Sequence, residues 1–300
     1  FTLVSSDRLA TAGSCFAQNV AKYLRAAQAV QVIEAEPLRP GDPVFSGRFG
    51  NIYTARQLVQ LFDEVMAGTP DPDCATQRRE DGRWDDLFRP YMEPAGFDSA
   101  EDVVAARRAH LEAIAPVFAD PDVFVFTLGL TEGWEAPATG RVYPICPGVY
   151  ADHAPEHVFH NFTYEEVLSD MEAFVARIAG VNPGVKILLT VSPVPLTATY
   201  ARDDVMTATM LSKSILRAVC GALEARHDSV YYFPSYEMIA NPFTPGSNYA
   251  PNLRTVDAGA IEQVMQRFEA DYIGTVSLDV EDDPDATVCD DVEIESSMGF

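Results

Sequence analysis

The hydrophobic and polar positions of the chain alternate between short apolar runs and longer helical patterns. The apolar runs predict five β-strands, over Arg8–Gly13, Val30–Glu34, Val123–Leu128, Val185–Val191 and Ser229–Phe233. The third and fourth runs are almost continuously apolar, which is typical of strands covered on both faces. Between them, apolar residues recur with helical spacing and predict helices over Phe16–Ala27, Ala55–Met66, Ser99–Phe118, Thr163–Ile178, Val205–Ala225 and Gly259–Phe268. This alternation predicts an α/β protein with a mostly parallel, doubly wound sheet of about five strands.

Three stretches depart from the alternation. Residues 68–98 are rich in Asp, Pro, Gly and Arg and are predicted to form an insertion or lid, and residues 133–160 are predicted to form a second irregular stretch, with three of the five histidines. Long loops of this kind often cover a site. Residues 275–300 contain nine acidic residues and no basic one, so we expect a weakly ordered tail without a catalytic role. The domain is therefore predicted to span residues 1–274.

The charge of the chain narrows the classes of partner. The formal net charge is −24 and the pI is near 4.4. A field of this sign repels phosphate backbones and anionic headgroups, so nucleic acid and membrane surfaces are not expected partners. An acidic surface also serves solubility, and the sequence leaves the oligomeric state open.

The cysteines and the apolar runs bear on localisation. The five cysteines are scattered without CxxC spacing, so neither a zinc site nor a disulfide framework is predicted, and a reducing compartment fits best. There is no run of 18 apolar residues and no signal-peptide pattern. We therefore expect a cytoplasmic protein without a membrane span. The chain opens on Phe1, so a leader or short N-terminal segment is expected to have been removed or left out.

The polar pair Ser14–Cys15 lies where the first predicted strand hands over to the first predicted helix. The apolar run ends in Ala12 and Gly13, and the helical pattern opens at Phe16. The N–H groups and the macrodipole at a helix N-terminus favour an anion, so this position favours a thiolate and stabilises an oxyanion. The alternative is that Ser14 is only an N-cap and Cys15 a small buried apolar residue.

Several motifs along the chain together resemble one protein family. The run Gly13-Ser14-Cys15-Phe16-Ala17 resembles the signature of the GSCFA family, and the likeness continues through Gly50–Thr54, Thr127–Glu132, Thr190–Pro195, Ser212–Ser214 and Tyr232–Glu237. The GSCFA family is similar to SGNH (GDSL-type) hydrolases. The resemblance implies a three-layer α/β/α fold and suggests acyl ester chemistry.

The resemblance also implies roles at the nucleophile and the oxyanion hole. The third position of the SGNH pattern Gly-Asp-Ser corresponds to Cys15, which makes Cys15 the favoured nucleophile; in the alternative, Ser14 attacks and Cys15 packs beneath it. The oxyanion donors are expected to be the backbone at Cys15 and at Gly50. Thr131 stands where SGNH enzymes have a donating Asn, and Asn51 is the alternative donor.

The general base is not supplied by the usual motif. SGNH enzymes carry Asp-x-x-His near the C-terminal helix, and Asn252 and Thr255 occupy those two positions here. The substitutes are His160 in a loop, Glu132 at the strand edge, and Asp257 near the vacant dyad.

Other polar residues have less distinct roles. Arg48, Tyr53 and Arg56 surround the glycine turn and are expected to bind an anionic or carbohydrate group. Lys213 invites comparison with Ser–Lys hydrolases, but its helical pattern predicts a polar face against the loops.

Two functions remain from the sequence. The first is an acyl-ester enzyme, an O-acetyl esterase or acyltransferase acting on a carbohydrate or polysaccharide, in the context of bacterial capsule or exopolysaccharide pathways. No cofactor or metal is expected, and acetyl-CoA or another acyl donor would enter as a substrate. The alternative is an SGNH scaffold that has lost its dyad and binds a glycan or acyl group. A weaker third possibility is a protein-interaction role of the acidic surface.

Overall fold

A five-stranded parallel sheet forms the centre of the protein. The computed structural model describes residues 1–243 and 246–273, so the predicted acidic tail lies outside the described residues. Within them, the strands in chain order are β1 (Arg8–Gly13), β2 (Gln31–Val32), β3 (Ala75–Gln77), β4 (Trp84–Asp86), β5 (Val123–Leu128), β6 (Glu132–Glu135), β7 (Val142–Tyr143), β8 (Val158–Asn161), β9 (Lys186–Val191) and β10 (Val230–Tyr232). The central sheet has the order β10-β9-β5-β1-β2, and every neighbouring pair is parallel. The predicted sheet is confirmed.

Helices cover both faces of this sheet. In chain order they are α1 (Ala17–Ala27), α2 (Ala55–Ala67), α3 (Ala100–Ala119), α4 (Pro147–Tyr150), α5 (Tyr164–Val181), α6 (Val205–Arg226), α7 (Ser235–Ile239) and α8 (Ala258–Phe268), with a π-helical turn over Glu269–Ile273. Along β5, Phe124 and Phe126 pack into a core with α2, α3, α5 and α6. Val123 and Val125 pack on the other face with α1 and α8. The fold is therefore a three-layer α/β/α arrangement, as predicted.

The structure corrects the bounds of the edge strand. β1 and β5 have the predicted bounds, but β2 covers only Gln31–Val32 where Val30–Glu34 was predicted. β2 lies at the edge of the sheet and pairs only with Arg8 and Leu9 of β1. Because it has one neighbour, its ladder ends where that pairing ends.

Short antiparallel strands occupy the two stretches that the alternation left out. β3 and β4 form a hairpin within residues 68–98. Within 133–160, β6 lies between β7 and β8 in a small three-stranded antiparallel sheet, so the stretch predicted to be irregular contains short strands joined by irregular segments. Strands of two to four residues are too short to show a period-two pattern.

No helix within residues 1–243 and 246–273 combines the length and apolar character needed to cross a bilayer.

Candidate active site

The carboxyl ends of β1, β5 and β9 meet at a cavity. The cavity encloses about 970 Å³ of space between protein atoms, part of it open to solvent. Its lining comprises Ser14, Cys15, Tyr53, Gly129, Leu130, Glu132, Gly133, Trp134, Pro144, Ile145, Cys146, Val149, Phe159, Ser192, Val194, Pro195, Leu196, Thr197, Ala198, Tyr200 and Arg254. Ligands bind beyond the carboxyl ends of strands in such sheets, so this cavity is where the topology predicts a site.

A tight turn carries Ser14 and Cys15 from β1 into α1. Gly13 has a φ of +136°, and a Cβ there would lie 2.4 Å from the carbonyl oxygen of Thr127, so only glycine fits. The helical hydrogen bonds of α1 begin with the N–H of Ala17, which donates to the carbonyl oxygen of Ser14. The N–H groups of Cys15 and Phe16 come earlier in the turn and take no part in the helical hydrogen bonds, as at any helix start.

The side chains of Ser14 and Cys15 are buried at the floor of the cavity, 2% and 4% exposed. No side chain caps α1, so the alternative of Ser14 as an N-cap is wrong. Its Oγ has no hydrogen-bond partner among the described residues. Two nucleophilic atoms therefore lie side by side at the sheet edge.

Lys213 of α6 is buried next to Gly129, which lines the cavity. Its side chain is 2% exposed, and Nζ donates a hydrogen bond of 2.5 Å to the carbonyl oxygen of Gly129. Burial lowers the pKa of Lys213 to about 7, and the Cys15 thiol nearby acts in the opposite direction. The amine is therefore able to gain and lose a proton near neutral pH beside a thiol.

The sequence did contain a signal for the burial of Lys213. The buried positions of α6 include Lys213, Leu216, Cys220 and Leu223, which recur with helical spacing. The expectation of a polar face against the loops was therefore wrong, because Lys213 lies on the apolar stripe that packs against the sheet. A lysine on such a stripe is a candidate for a shifted pKa.

Glu132 contributes a carboxylate to the cavity wall. Its Oε1 accepts a hydrogen bond of 2.6 Å from Thr199 Oγ1, and Oε2 accepts one of 3.4 Å from the N–H of Tyr200. Burial raises the pKa of Glu132, while these two hydrogen bonds lower it. The carboxylate thus ties β6 to the loop that carries Tyr200.

Aromatic side chains form the outer wall. The Trp134 ring packs edge-on against Tyr200 at 4.6 Å and against Phe159 at 5.8 Å between centroids. Tyr200 is 49% exposed, so this wall extends to the cavity mouth.

The family of the chain follows from a match that covers most of its sequence. The model of the GSCFA family matches residues 8–268. The chain belongs to the GSCFA family. The predicted family is therefore confirmed, over nearly the whole length of the chain.

Solved structures similar to this GSCFA protein have low sequence identity to it. One is a carbohydrate esterase family 3 from Talaromyces cellulolyticus, 9% identical, with 90% of this chain and 96% of that chain covered and a TM-score of 0.45. Another is an acetyl esterase mutant with acetate ion, 10% identical, covering 91% and 95%, with a TM-score of 0.41. A third is a family two carbohydrate esterase from Clostridium thermocellum in complex with cellohexaose, 10% identical, covering 90% and 64%, with a TM-score of 0.34. No curated protein matches the chain in sequence.

The predicted base His160 lies away from the cavity lining of the GSCFA protein. Its Nδ1 is 3.1 Å from Glu135 Oε2, and its Nε2 is 2.9 Å from Glu166 Oε1. The ring stacks on Phe162 with centroids 4.4 Å apart. Two carboxylates and an aromatic ring thus hold His160 on β8, whereas Glu132 of the neighbouring β6 lines the cavity.

The predicted side-chain donors of the oxyanion hole have other partners. Thr131 is fully buried, and its Oγ1 donates a hydrogen bond of 2.7 Å to Asn161 Oδ1. Asn51 accepts a hydrogen bond of 3.5 Å from Gln18 Nε2. Neither these residues nor Gly50 is among the lining residues. Cys15, whose backbone N–H is the remaining predicted donor, does line the cavity.

The two predicted substrate-binding residues lie in different surroundings. Tyr53 lines the cavity, and its carbonyl oxygen accepts hydrogen bonds from the N–H groups of Gly129 and Leu130. Arg48 is 5% exposed and is bound by Asp42, Glu93 and the carbonyl oxygen of Met92. Its guanidinium therefore holds loops together outside the cavity.

The positions of the vacant dyad form a turn. Asn252 Nδ2 donates a hydrogen bond of 2.9 Å to Thr255 Oγ1, and Asp257 caps α8 by accepting from the N–H of Gly259. Arg254, between them, lines the cavity. In the described part of the chain, no three His, Cys, Asp or Glu side chains come together as metal ligands would.

Proposed function

We propose that this GSCFA protein is an acyl-ester enzyme, an O-acetyl esterase or acyltransferase, with the Cys15 thiol as its nucleophile. The observation that carries the proposal is the buried amine of Lys213, which binds the carbonyl oxygen of Gly129, a residue that lines the cavity together with Cys15. A nucleophile next to a group that takes its proton is the signature of covalent catalysis.

Lys213 is the proton acceptor in this proposal. With a pKa of about 7, a large share of the amine is neutral at physiological pH. A neutral amine donates one hydrogen to Gly129 O and keeps a lone pair that accepts the thiol proton. The carbonyl of Gly129 thus fixes the position of the base.

Besides the acyl ester, the reaction needs only water or an acceptor alcohol. Lys213 takes the proton of Cys15, the sulfur attacks the acyl carbonyl, and the carbon–oxygen bond of the ester breaks. The lysine ammonium returns the proton to the leaving alkoxide. The N–H groups of Cys15 and Phe16 stabilise the oxyanion. Water or a sugar hydroxyl then attacks the thioester, which frees the thiol and gives hydrolysis or transfer.

The cavity wall supports a carbohydrate as the alcohol component. Trp134, Phe159 and Tyr200 offer apolar ring surface at the mouth, and Glu132 offers a hydrogen-bond acceptor. Sugar rings present C–H faces and hydroxyls, which match such a combination. An acyl thioester such as acetyl-CoA remains the expected donor if the reaction is transfer.

The test is trapping of the acyl-enzyme. Wild-type protein mixed with p-nitrophenyl acetate is expected to gain an acetyl group on Cys15, located by peptide mapping after quenching in acid. Cys15→Ala and Lys213→Met are expected to lose this adduct, whereas Ser14→Ala keeps it. An adduct on Ser14 that survives in Cys15→Ala would assign the serine instead.

The alternative function has its own outcome in this experiment. A scaffold that binds a glycan without cleaving it would give no adduct at position 14 or 15 and no acetate from an O-acetylated oligosaccharide. It would still bind that oligosaccharide in calorimetry.

A further inference from the structure

A second thiol lines the cavity, on the wall formed by residues 133–160. Cys146 Sγ lies 3.5 Å from Nε2 of His157, and both side chains are half-buried. Cys146 is a lining residue like Cys15, but it reaches the cavity from a different segment of the chain. The proposed function uses neither Cys146 nor His157.

The hydrogen bonds of His157 determine which nitrogen faces the thiol as an acceptor. His157 Nδ1 lies 2.7 Å from the carbonyl oxygen of Pro155. A carbonyl oxygen only accepts hydrogen bonds, so Nδ1 must carry a hydrogen. In the neutral ring, Nε2 then has the free lone pair, and it points to the S–H of Cys146. This is the arrangement of nucleophile, base and orienting group found in cysteine acyl-transfer sites.

A side chain at position 148 would crowd the contact between Cys146 and His157. A Cβ at Gly148 would lie 3.2 Å from His157 Nε2 and 3.7 Å from Cys146 Sγ. Arg79, from the 68–98 insertion, donates to the carbonyl oxygens of Gly148 and Ala151 at 3.0 and 3.1 Å. The insertion therefore clamps the segment that carries Cys146.

The Cys146 thiol needs a base, because burial favours its protonated form. Burial raises the pKa of Cys146, and hydrogen bonds from the N–H groups of Gly148 and Val149 lower it in part. A thiol protonated at rest attacks an acyl carbon when its proton is removed in the same step, which is the task of Nε2. The edge-on contact of the Trp134 ring, 5.5 Å from the imidazole centroid, keeps the imidazole in place.

We propose that Cys146 and His157 form a second nucleophile–base pair of this cavity, at which an acyl donor acylates Cys146. His157 Nε2 takes the thiol proton, the sulfur–carbon bond forms, and the bond from the acyl carbon to the leaving alkoxide or thiolate breaks. The imidazolium then protonates the leaving group, and water later hydrolyses the thioester. The ligand class is the same as in the proposed function, an activated acyl ester or thioester.

The test measures acetylation of Cys146 in a Cys15→Ala background, with p-nitrophenyl acetate as the probe and peptide mapping as the readout. We expect Cys146 to be acetylated faster than N-acetylcysteine at the same pH. Adding His157→Gln is expected to lower the rate at Cys146 at least about 100-fold, the lower bound for a general base. The buried Cys74 and Cys220 are internal controls, because labelling there reports unfolding.

A second variant tests the contact between Cys146 and His157 if His157→Gln fails to fold. Gly148→Ala places a methyl group against Nε2 and is expected to slow acetylation of Cys146 about tenfold or more, by analogy with a misplaced catalytic group. Rates at Cys146 that stay unchanged in both variants, or that do not exceed N-acetylcysteine, overturn the proposal. Labelling of Cys146 without any adduct on Cys15 or Ser14 in the wild-type protein would instead overturn the proposed function and leave this pair standing.

Discussion

Lys213 Nζ donates its 2.5 Å hydrogen bond to a backbone carbonyl, that of Gly129, and not to a carboxylate. In the part of the chain that the structure describes, Lys213 forms no ion pair with an acidic side chain. A Cβ at Gly129 would lie 2.9 Å from the Cβ of Ser14, so Gly129, whose carbonyl holds the amine, also lies close to the turn that carries Ser14 and Cys15. A buried lysine held by a neutral partner favours its uncharged form, which is the form that accepts a proton.

Lys213→Met is expected to abolish acyl-enzyme formation. A proton acceptor with a pKa of about 7 works only when neutral, so kcat/KM of the wild type should rise with pH to a plateau above about 7. The variant should lose about 100-fold or more in kcat/KM, and Lys213→Arg should do the same because a guanidinium stays charged. Stopped-flow or plate assays with p-nitrophenyl acetate over pH 5–9 measure the profile.

Lys186→Met is the matched control for this loss. Lys186 begins β9 at the end of the sheet opposite the cavity, and its removal should leave both the rate and the pH profile unchanged. A profile that persists in Lys213→Met would remove the lysine from the mechanism.

Lys213→Met should also stabilise the fold, most strongly at low pH. The pKa of Lys213 is lowered from 10.5 in the unfolded chain to about 7 in the folded protein, so the unfolded state binds more protons between these values. The wild type therefore gains stability as the pH rises from 7 to 10, and below pH 7 burial of the charge costs about 5 kcal/mol. Lys213→Met removes that cost, so the rise in its melting temperature should be largest at pH 6 and shrink towards pH 10. A variant less stable than the wild type at pH 6 contradicts this account.

Gly129→Ala is expected to damage the site through packing. Its Cβ would meet Ser14 Cβ at 2.9 Å and the carbonyl oxygen of Tyr53 at 3.0 Å. Overpacking of this kind costs about 1–3 kcal/mol of unfolding free energy, and displacement of the turn should lower kcat about 100-fold. Gly180→Ala, in α5 with nothing within 4 Å, is the control and should be neutral or slightly stabilising by urea denaturation.

Glu132→Gln tests whether Glu132 positions the loop of the cavity wall or acts as the general base. If Lys213 is the base, the variant should raise KM and leave kcat within tenfold, because Glu132 positions the loop of Thr199 and Tyr200. Thr199→Val removes one of the same hydrogen bonds from the other side and should shift KM in the same direction. A fall in kcat of about 100-fold or more in Glu132→Gln alone would make Glu132 the general base.

The central sheet was predictable because its physics is local. Val123–Leu128 is covered on both faces, so the apolar run is continuous and its ends are sharp, and the observed strand has those bounds. The hairpin of β3 and β4 carries Asp85 and Asp86, which are buried but bound by the N–H of Tyr91 and by Arg107. Polar residues that become buried through distant partners leave no hydrophobic pattern in the sequence.

The site was predictable only in part, for a related reason. The strand ends placed Ser14, Cys15 and Glu132 at one edge, since parallel strands share the direction of their carboxyl ends. The distance from His160 to that edge depends on the pairing of β8 with β6, which no short-range pattern in the sequence indicates. Lys213 was placed on a polar face because Arg217 follows it four residues later, whereas Lys213 in fact lies among the buried positions of α6.

The pairing of β1 has a consequence for how substrates could change in this scaffold. β1 is paired with β5 from Leu9 to Gly13, and β5 with β9, so the parallel ladders hold the strand that ends next to Ser14 and Cys15. The wall comes instead from residues 133–160 and 194–200, which lie outside that sheet. Replacing wall segments should therefore change the shape of the cavity with little effect on the sheet, whereas substitutions at the floor should also change the stability of the fold.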